Sequence, residues 1–246
     1  MSSWLEGKVL ENRHWTGTLF SLRVEAPRLR FAAGQFVRIA LDVAGERVAR
    51  PFSFVNAPQD PVMEFYGVVV PEGPLSPRLA ALCAGDRLFV ADNPAGFLVM
   101  AEVPPAEDLW MLATGTGIAP FLSILRTEEP WQRYRRVILV HAARHATELV
   151  YGDLILELEK KFGNKFKSIK FVSREKAPNT LEGRIPAAIR DGRLERAGGP
   201  ISPERSQFML CGNPQMLKYV TGALLERGFR KHRRRAPGHI TVESFW

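Results

Sequence analysis

The chain has 246 residues, of which 46% are hydrophobic and 24% are charged, a composition that excludes a disordered chain, a collagen-like repeat and a coiled coil. Its 34 Lys and Arg outnumber its 26 Asp and Glu, which gives a formal net charge of +8. Residues 1–103 carry 10 basic and 11 acidic side chains, so the excess lies in residues 104–246, and we expect an anionic partner for that part.

The first hundred residues predict an antiparallel β-barrel. Short alternating or β-branched segments recur there between glycines and prolines, and strands of this length and spacing are typical of barrels. The predicted strands are 8–13, 18–25, 35–41, 52–55, 63–70 and 86–91. A short helix is predicted over 77–82, with Ser76 as its N-cap.

A change of pattern near Pro104 and Pro105 predicts a linker and a second domain. Beyond it, apolar runs alternate with helical segments, which is typical of a parallel sheet covered by helices. The predicted strands are 109–113, 137–142, 166–172 and 208–211, and the predicted helices are 118–126, 152–161, 185–189 and 214–227. We therefore predict a barrel domain over 1–103 and an α/β domain over 104–246.

The strongest local signal of the second domain is the segment 114–120, with the sequence TGTGIAP. It follows a predicted strand and begins a helix, where glycines let the backbone approach a ligand and free N–H groups attract a phosphate. A Gly-x-Gly pair also occurs in ordinary turns, so the strand–loop–helix context favours a nucleotide site. The candidates are Gly115, Thr116 and Gly117.

Basic side chains follow the next two predicted strands, where an NAD site usually carries an acidic residue. One strand ends at Ala143 and Arg144, the next at Ser173 and Arg174, and Arg184 follows soon after. Guanidinium groups suit a phosphate dianion, so the pattern predicts a 2′-phosphate site and hence NADP. Any one of these arginines alone would fit a solvated surface charge equally well.

The last predicted strand of this domain ends in Cys211 and Gly212, followed by Asn213 and Pro214. Asn213 is suited to an N-cap and Pro214 to a first helical turn. The segment places a thiol and free N–H groups at the sheet edge of the Gly-rich loop, although a cysteine in a strand is more often part of the core.

Four segments, in order and at matching spacing, resemble one family. The segment 50–53 (RPFS) is similar to the Arg-x-Tyr-Ser flavin motif of ferredoxin–NADP reductases, and 114–120 is similar to their nicotinamide-phosphate loop. The segment 211–214 (CGNP) resembles their Cys-Gly-x-x segment, and 243–246 (ESFW) resembles the Glu-x-Tyr-Trp tail of the short bacterial branch. The chain is thereby identified as a member of the bacterial ferredoxin/flavodoxin–NADP reductases.

The resemblance implies FAD on the barrel, NADP on the α/β domain and the flavin in the cleft between them. It implies that Arg50 pairs with the FAD pyrophosphate, that Phe52 lies against the flavin ring and that Trp246 stacks on the adenine. The FAD-binding residues are then Arg50, Pro51, Phe52, Ser53, Tyr66, Val68, Val69, Pro74, Leu75, Ser76, Thr116, Phe245 and Trp246. The NADP-binding residues are Gly115, Thr116, Gly117, Ala143, Arg144, Ser173, Arg174, Arg184, Cys211, Gly212, Asn213 and Pro214.

The resemblance also implies the reaction. A flavin exchanges a hydride with NADPH and single electrons with ferredoxin or flavodoxin, and Ser53, Cys211 and Glu243 are the candidate catalytic residues that shape its contact with the nicotinamide. A glutamate so near the chain end is otherwise more often simply exposed. Two alternatives within the fold are a reductase component for an oxygenase and a free-flavin or ferric reductase.

Two departures from the family pattern concern the flavin. Phe52 and Phe245 stand where the family has tyrosines. A phenyl ring keeps the stacking but has no hydroxyl to form a hydrogen bond, so the fine positioning of the flavin is open, while FAD binding itself is expected to persist.

The basic run 227–235 (RGFRKHRRR) predicts a docking face for an acidic ferredoxin or flavodoxin. A solvated charged face is the competing interpretation, and nucleic acid is a remote one, because no zinc spacing or helix-turn-helix pattern accompanies the run. The five histidines show no metal-ligand spacing with the two cysteines, so we predict no metal. The two cysteines and the lack of a signal or membrane segment predict a cytoplasmic protein, and we expect a monomer.

Overall fold

The computed structural model describes residues 3–244, and the first part of this range forms an antiparallel sheet of six strands. The strands are β1 (Trp4–His14), β2 (Leu19–Glu25), β3 (Phe36–Val43), β4 (Glu46–Ser53), β5 (Met63–Val68) and β6 (Arg87–Ala91), and the helix α1 (Ser76–Ala80) lies between β5 and β6. The sheet order is β4-β3-β6-β1-β2-β5, and an antiparallel bridge from Phe54 to Phe65 joins the two outer strands. The predicted antiparallel barrel is confirmed.

The interior of this sheet is an apolar core built by alternation along the strands. In β2, Leu22 and Val24 point inward and are fully buried, while Arg23 and Glu25 point to solvent. Each fully buried side chain of this size stabilises the fold by about 1.5–3 kcal/mol. The Phe54 ring closes the core, because it stacks on Phe31 with ring centroids 3.8 Å apart.

Two local predictions in this half are wrong. Strand β4 begins at Glu46 rather than at residue 52, because Ala44 and Gly45 adopt positive φ angles and form a hairpin turn between β3 and β4. Its first residues are charged and exposed, which hid the strand from a search for apolar segments. Ser76 is not an N-cap, since α1 begins at Ser76 itself and its Oγ accepts a hydrogen bond from Val70 N at 2.9 Å.

The remaining strands form a second sheet whose neighbouring strands run parallel, in the order β10-β9-β8-β7-β11-β12. They are β7 (Asp108–Thr114), β8 (Arg136–Ala143), β9 (Phe166–Val172), β10 (Leu181–Glu182), β11 (Ser206–Gly212) and β12 (Ile240–Ser244). The helices are α2 (Ala119–Leu125), α3 (Glu129–Arg133), α4 (Gly152–Phe162), α5 (Ile185–Arg190), α6 (Arg193–Gly198) and α7 (Pro214–Leu225). This confirms the predicted α/β architecture.

Helices cover both faces of the parallel sheet. Side chains of α2 and α4, such as Phe121 and Ile155, pack in one apolar cluster, and side chains of α5 and α7, such as Ile189 and Leu224, pack in another. The longest helix of residues 3–244 has twelve residues, and none in this range is long and apolar enough to cross a bilayer.

Strand β12 was not predicted as a strand, because its five residues follow the basic run at the end of the chain. It pairs in parallel with β11, and the register sets Glu243 opposite Cys211. The chain therefore returns to the sheet edge that carries the Gly-rich loop. Phe245 and Trp246, for which the family resemblance implies FAD contacts, lie outside the described residues.

The two sheets share an apolar core. Leu19 and Tyr66 of the barrel belong to the same buried cluster as Met111 of the parallel sheet and Phe121 of α2. A polar contact reinforces this packing, since Ser123 Oγ donates a hydrogen bond to the carbonyl oxygen of Asn56 at 2.7 Å. The interface brings the edges of both sheets together around one cleft.

Candidate active site

A cleft of about 500 Å³ opens between the barrel and the parallel sheet. Most of the residues implied for FAD line it, namely Arg50, Pro51, Phe52, Ser53, Tyr66, Val68, Pro74, Leu75, Ser76 and Thr116. Glu243 lines it from the parallel sheet. Val69 does not line it, because its N–H donates to Thr18 O at 2.7 Å and its side chain packs on the barrel core.

The end of β4 lines the cleft with four consecutive residues, 50–53. Phe52 is half-buried, and its ring lies on Gly67, where a Cβ would stand only 2.9 Å from Phe52 Cε1. Gly67 is therefore needed for the position of this ring, which the sequence analysis missed because the contact joins two strands. The Arg50 guanidinium bonds only the neighbouring Ala49 carbonyl, at 2.8 Å, and makes no ion pair within residues 3–244.

Three buried polar atoms that have no hydrogen-bond partner within residues 3–244 belong to residues of the cleft: Ser53 Oγ, Tyr66 Oη and Glu243 Oε2. A buried polar atom without a partner costs about 1–3 kcal/mol, so three of them around one cleft indicate a ligand that supplies the missing bonds. Burial raises the pKa of Tyr66, which keeps its hydroxyl a donor. A flavin ring, with flat faces and a polar edge, fits this set.

Glu243 brings a carboxyl group into the cleft. Its Oε1 accepts a hydrogen bond from Phe97 N at 3.3 Å, and burial raises its pKa to about 7, although that N–H opposes the rise. The side chain therefore exists in both protonation states near neutral pH. Cys211, opposite it in the sheet, is 0% exposed, and burial together with the Glu243 charge raises the pKa of its thiol, so Cys211 stays neutral.

The Gly-rich loop crosses the end of the parallel sheet as a tight turn over Gly115–Ile118 before α2 begins. A Cβ on Gly117 would lie 2.6 Å from Cys211 O, so the loop packs directly on the end of β11. On its other side, His141 Nε2 lies 3.1 Å from Gly115 O. Burial lowers the pKa of His141 to about 4, so a neutral imidazole donates to the loop. Sequence reasoning found no role for His141.

The predicted phosphate arginines come together at the carboxyl edge of β8, β9 and β10. Arg174 N donates to Arg144 O at 3.0 Å, and Ser173 N donates to Ala143 O at 3.2 Å, so the two strand ends are tied side by side. Arg144, Arg174 and Arg184 are exposed, and none of them forms an ion pair with a carboxylate within the described range. An anion could therefore approach this edge.

The turn after β11 confirms the predicted cap. Asn213 Oδ1 accepts hydrogen bonds from Gln215 N at 2.9 Å and from Met216 N at 3.3 Å, and Pro214 occupies the first turn of α7. Asn213 N in turn donates to Thr114 Oγ1 at 3.0 Å. The turn and the Gly-rich loop thus form one surface. Residues 3–244 hold no group of three or more metal-ligating side chains.

Comparisons with known proteins agree with this geometry. A family model described as the oxidoreductase NAD-binding domain matches residues 111–222. The chain is 52% identical to a flavodoxin/ferredoxin–NADP reductase of Shigella flexneri and 51% identical to one of Escherichia coli (strain K12), with 100% of each chain covered. A crystal structure of a ferredoxin–NADP⁺ reductase from Neisseria gonorrhoeae with bound FAD and NADP matches with a TM-score of 0.94, 35% identity and 99% of both chains covered.

Proposed function

Because the chain belongs to the flavodoxin/ferredoxin–NADP reductase family, we propose that the cleft between its two sheets is where FAD and the nicotinamide meet. The chain is an FAD-dependent oxidoreductase that transfers electrons between NADPH and a flavodoxin or ferredoxin. The observation that supports the assignment of the cleft is its set of unpartnered buried atoms, Ser53 Oγ, Tyr66 Oη and Glu243 Oε2.

FAD, when bound, supplies the exchange between a two-electron and a one-electron carrier. The protein binds and orients it. Phe52 presents its ring to the flavin face, Arg50 offers an unpaired guanidinium to the pyrophosphate, and Ser53 offers a hydroxyl to the polar edge. Thr116 reaches the same cleft from the Gly-rich loop, so it is placed to align the nicotinamide.

Glu243 and Cys211 have different parts in this proposal. Glu243 lines the cleft and, with a pKa of about 7, holds or releases a proton at Oε2 in the working range of pH. Cys211 is a neutral, fully buried thiol behind it and keeps the wall of the site next to Glu243 uncharged. The remaining residues implied for NADP bind the half of NADPH that is distant from the nicotinamide. Among them, Arg144, Ser173, Arg174 and Arg184 bind its 2′-phosphate.

The carrier is proposed to dock beside this cleft, on Phe97 and the exposed cations Lys231, Arg233 and Arg235. Phe97 is 64% exposed, and its N–H bonds the Glu243 carboxylate that faces the cleft. The three cations make no ion pair within residues 3–244, so they can attract an acidic protein. We call this set the docking face.

Two other cations of the basic run serve the fold instead. Arg227 pairs with Glu195 at 2.9 Å, and Arg234 pairs with Glu102 while its guanidinium lies 4.5 Å from the Phe97 ring centroid. A cytoplasmic location, a monomeric state and a domain division between residues 103 and 104 complete the proposal. Met100 and Val103, just before this division, pack in the core that both sheets share.

Rapid mixing of the purified protein with NADPH or NADH, followed through the visible flavin spectrum, tests the proposal. We expect a yellow protein whose flavin is bleached by NADPH far faster than by NADH. The reduced protein is then mixed with flavodoxin, ferredoxin, free flavin and a ferric chelate. A colourless protein that cannot be loaded with FAD, or one that reduces only the last two acceptors, contradicts it.

A further inference from the structure

Tyr151 connects the parallel-sheet half of the chain to the barrel directly behind the cleft. It precedes α4, is 6% exposed and has a φ of +62°, in the left-handed region that bulky residues avoid. A backbone in this region persists where its surroundings determine it strongly. The side chain of Tyr151 therefore has contacts that hold it there.

The Tyr151 hydroxyl enters a polar network that otherwise belongs to the barrel. It lies 2.6 Å from Ser21 Oγ and donates to Glu64 Oε1 at 3.0 Å. Ser21 Oγ accepts a hydrogen bond from Trp15 Nε1 at 2.7 Å, which leaves the serine proton for the Tyr151 oxygen. Each O–H and N–H of this chain of bonds thus has an acceptor, and its end is a carboxylate.

Arg126, at the end of α2, holds the same carboxylate from the other side. Its guanidinium lies 3.6 Å from Glu64 Oε2 and 2.9 Å from Asp60 Oδ2. Burial raises the pKa of Glu64 and is opposed by the Tyr151 hydrogen bond and the Arg126 charge. Glu64 is therefore the point at which two elements of the parallel-sheet half meet the barrel.

The ring of Tyr151 supports a residue of the cleft. It meets the Tyr66 ring edge-on, with centroids 5.4 Å apart, and packs against Trp15 at 5.0 Å. Tyr66 lines the cleft, and its hydroxyl has no partner within residues 3–244. A shift of Tyr151 would therefore move both the surface that faces the flavin and the half that carries the nicotinamide.

We propose that Tyr151 is a positioning residue, whose hydroxyl fixes the nicotinamide-binding half on the barrel and whose ring holds Tyr66 against the flavin. This inference rests on the proposed function of the cleft. A misplacement of about 1 Å in reacting groups costs up to about 100-fold in rate. Loss of the hydrogen bonds from the Tyr151 hydroxyl should therefore slow hydride transfer. The phosphate arginines at the ends of β8 to β10 do not contact Tyr151, so the affinity for NADP⁺ should remain unchanged.

Tyr151→Phe in the FAD-loaded full chain tests the proposal, because it removes one oxygen atom and keeps the ring. Tyr134→Phe is the matched control: Tyr134 is also buried, and its hydroxyl donates to Pro104 O at 3.1 Å, away from the cleft. We expect similar losses of Tm in both variants. Only Y151F should slow flavin reduction at saturating NADPH by about 10-fold, leave NADP⁺ affinity unchanged and alter the visible circular dichroism of the flavin.

Each other outcome has a definite meaning. If Y151F matches Y134F in reduction rate and in flavin dichroism, Tyr151 has only a structural role and the proposal is overturned. If Y151F does not fold, Ser21→Ala removes one partner of the same hydroxyl, and a wild-type rate and dichroism in S21A overturn it equally. A wild-type chain that binds no FAD contradicts the proposed function, and with it this inference.

Discussion

Single atoms without partners define the cleft at the scale of residues. Polar groups in a folded interior are nearly all hydrogen-bonded, so three unpartnered atoms gathered around one cleft mark a place for a ligand or for chemistry. Here the strongest case is Glu243, because burial raises the pKa of its carboxyl to about 7 while one oxygen, Oε2, has no hydrogen-bond partner among residues 3–244. The raised pKa also makes the stability of the fold depend on pH.

Glu243→Gln should change how stability depends on pH. Between pH 4.5 and 7 the unfolded chain has lost the Glu243 proton while the folded chain keeps it, so wild-type stability falls as pH rises through this window. The glutamine stays neutral and avoids this loss, which amounts to about 3 kcal/mol at most. Thermal unfolding should give nearly equal Tm values near pH 4, below the unfolded pKa, and a higher Tm for E243Q at pH 8. Equal values at both pH values would contradict the buried carboxyl.

Arg174→Ala and Arg184→Ala test the phosphate edge. Each removes a guanidinium that makes no ion pair in the described range, and the loss of one charge-assisted hydrogen bond should weaken NADPH binding by about 10- to 100-fold. NADH lacks the 2′-phosphate, so its binding should change little. Arg28→Ala, an exposed arginine of the barrel, is the control for general charge loss. Equal losses for NADPH and NADH would refute the assignment.

At the scale of elements, the Gly-rich loop is held by the strands on either side of β7. His141 of β8 donates to Gly115 O, and the end of β11 lies against Gly117 with no room for a side chain. The tight turn therefore depends on packing between neighbouring strands as well as on its own glycines. These contacts hold an ordinary turn motif in one position at the end of the sheet.

Gly117→Ala should disrupt this packing. Its Cβ would lie 2.6 Å from Cys211 O, so the loop or β11 must shift, at a cost of about 1–3 kcal/mol in unfolding free energy and with weaker NADPH binding. Gly222→Ala is the control, since a Cβ in this position of α7 meets no atom within 4 Å, and it should stabilise the protein by up to about 1 kcal/mol. Urea unfolding of both variants checks this, and an unchanged G117A would contradict the close approach.

At the scale of the whole molecule, the cations of the second half fall into three groups. Arg144, Arg174 and Arg184 face outward at the end of the parallel sheet, while Arg227 and Arg234 are engaged in ion pairs within the fold. The docking face retains three exposed cations beside the cleft. Net charge of this kind acts chiefly on the rate of encounter with an acidic partner, and salt screens it.

Reversing two charges of the docking face should slow the carrier and leave the flavin unaffected. In the double variant Lys231→Glu, Arg233→Glu, kcat/KM with flavodoxin should fall about 10-fold or more at low ionic strength and recover towards wild type at high salt. The matched control reverses Arg28 and Arg30, which are exposed on the barrel and give the same net charge. Ferricyanide reduction should be equal in all three proteins; an equal loss with the control would indicate net charge rather than a docking face.

Local sequence patterns predict much of the architecture. Strand β9 begins and ends where the sequence predicts, and Asn213 caps α7 as its position after a strand and before Pro214 indicates. These features depend on residues close together in the chain, so local propensity decides them. Local patterns do not predict β12 or the first residues of β4. Strand β12 is defined by its pairing with β11, and the first part of β4 is defined by a hairpin with β3 whose residues are charged and exposed.

The sequence by itself therefore determined the succession of an antiparallel barrel and an α/β half, the Gly-rich loop, the basic strand ends and the family to which they point. The tertiary structure decided which side chains meet: Phe52 on Gly67, Glu243 opposite Cys211, and Tyr151 of the parallel-sheet half inside the polar network of the barrel. It also decided the protonation of Glu243 and His141, since burial shifts their pKa values. The physical reason is that contacts and burial join residues distant in the chain, and no local propensity encodes them.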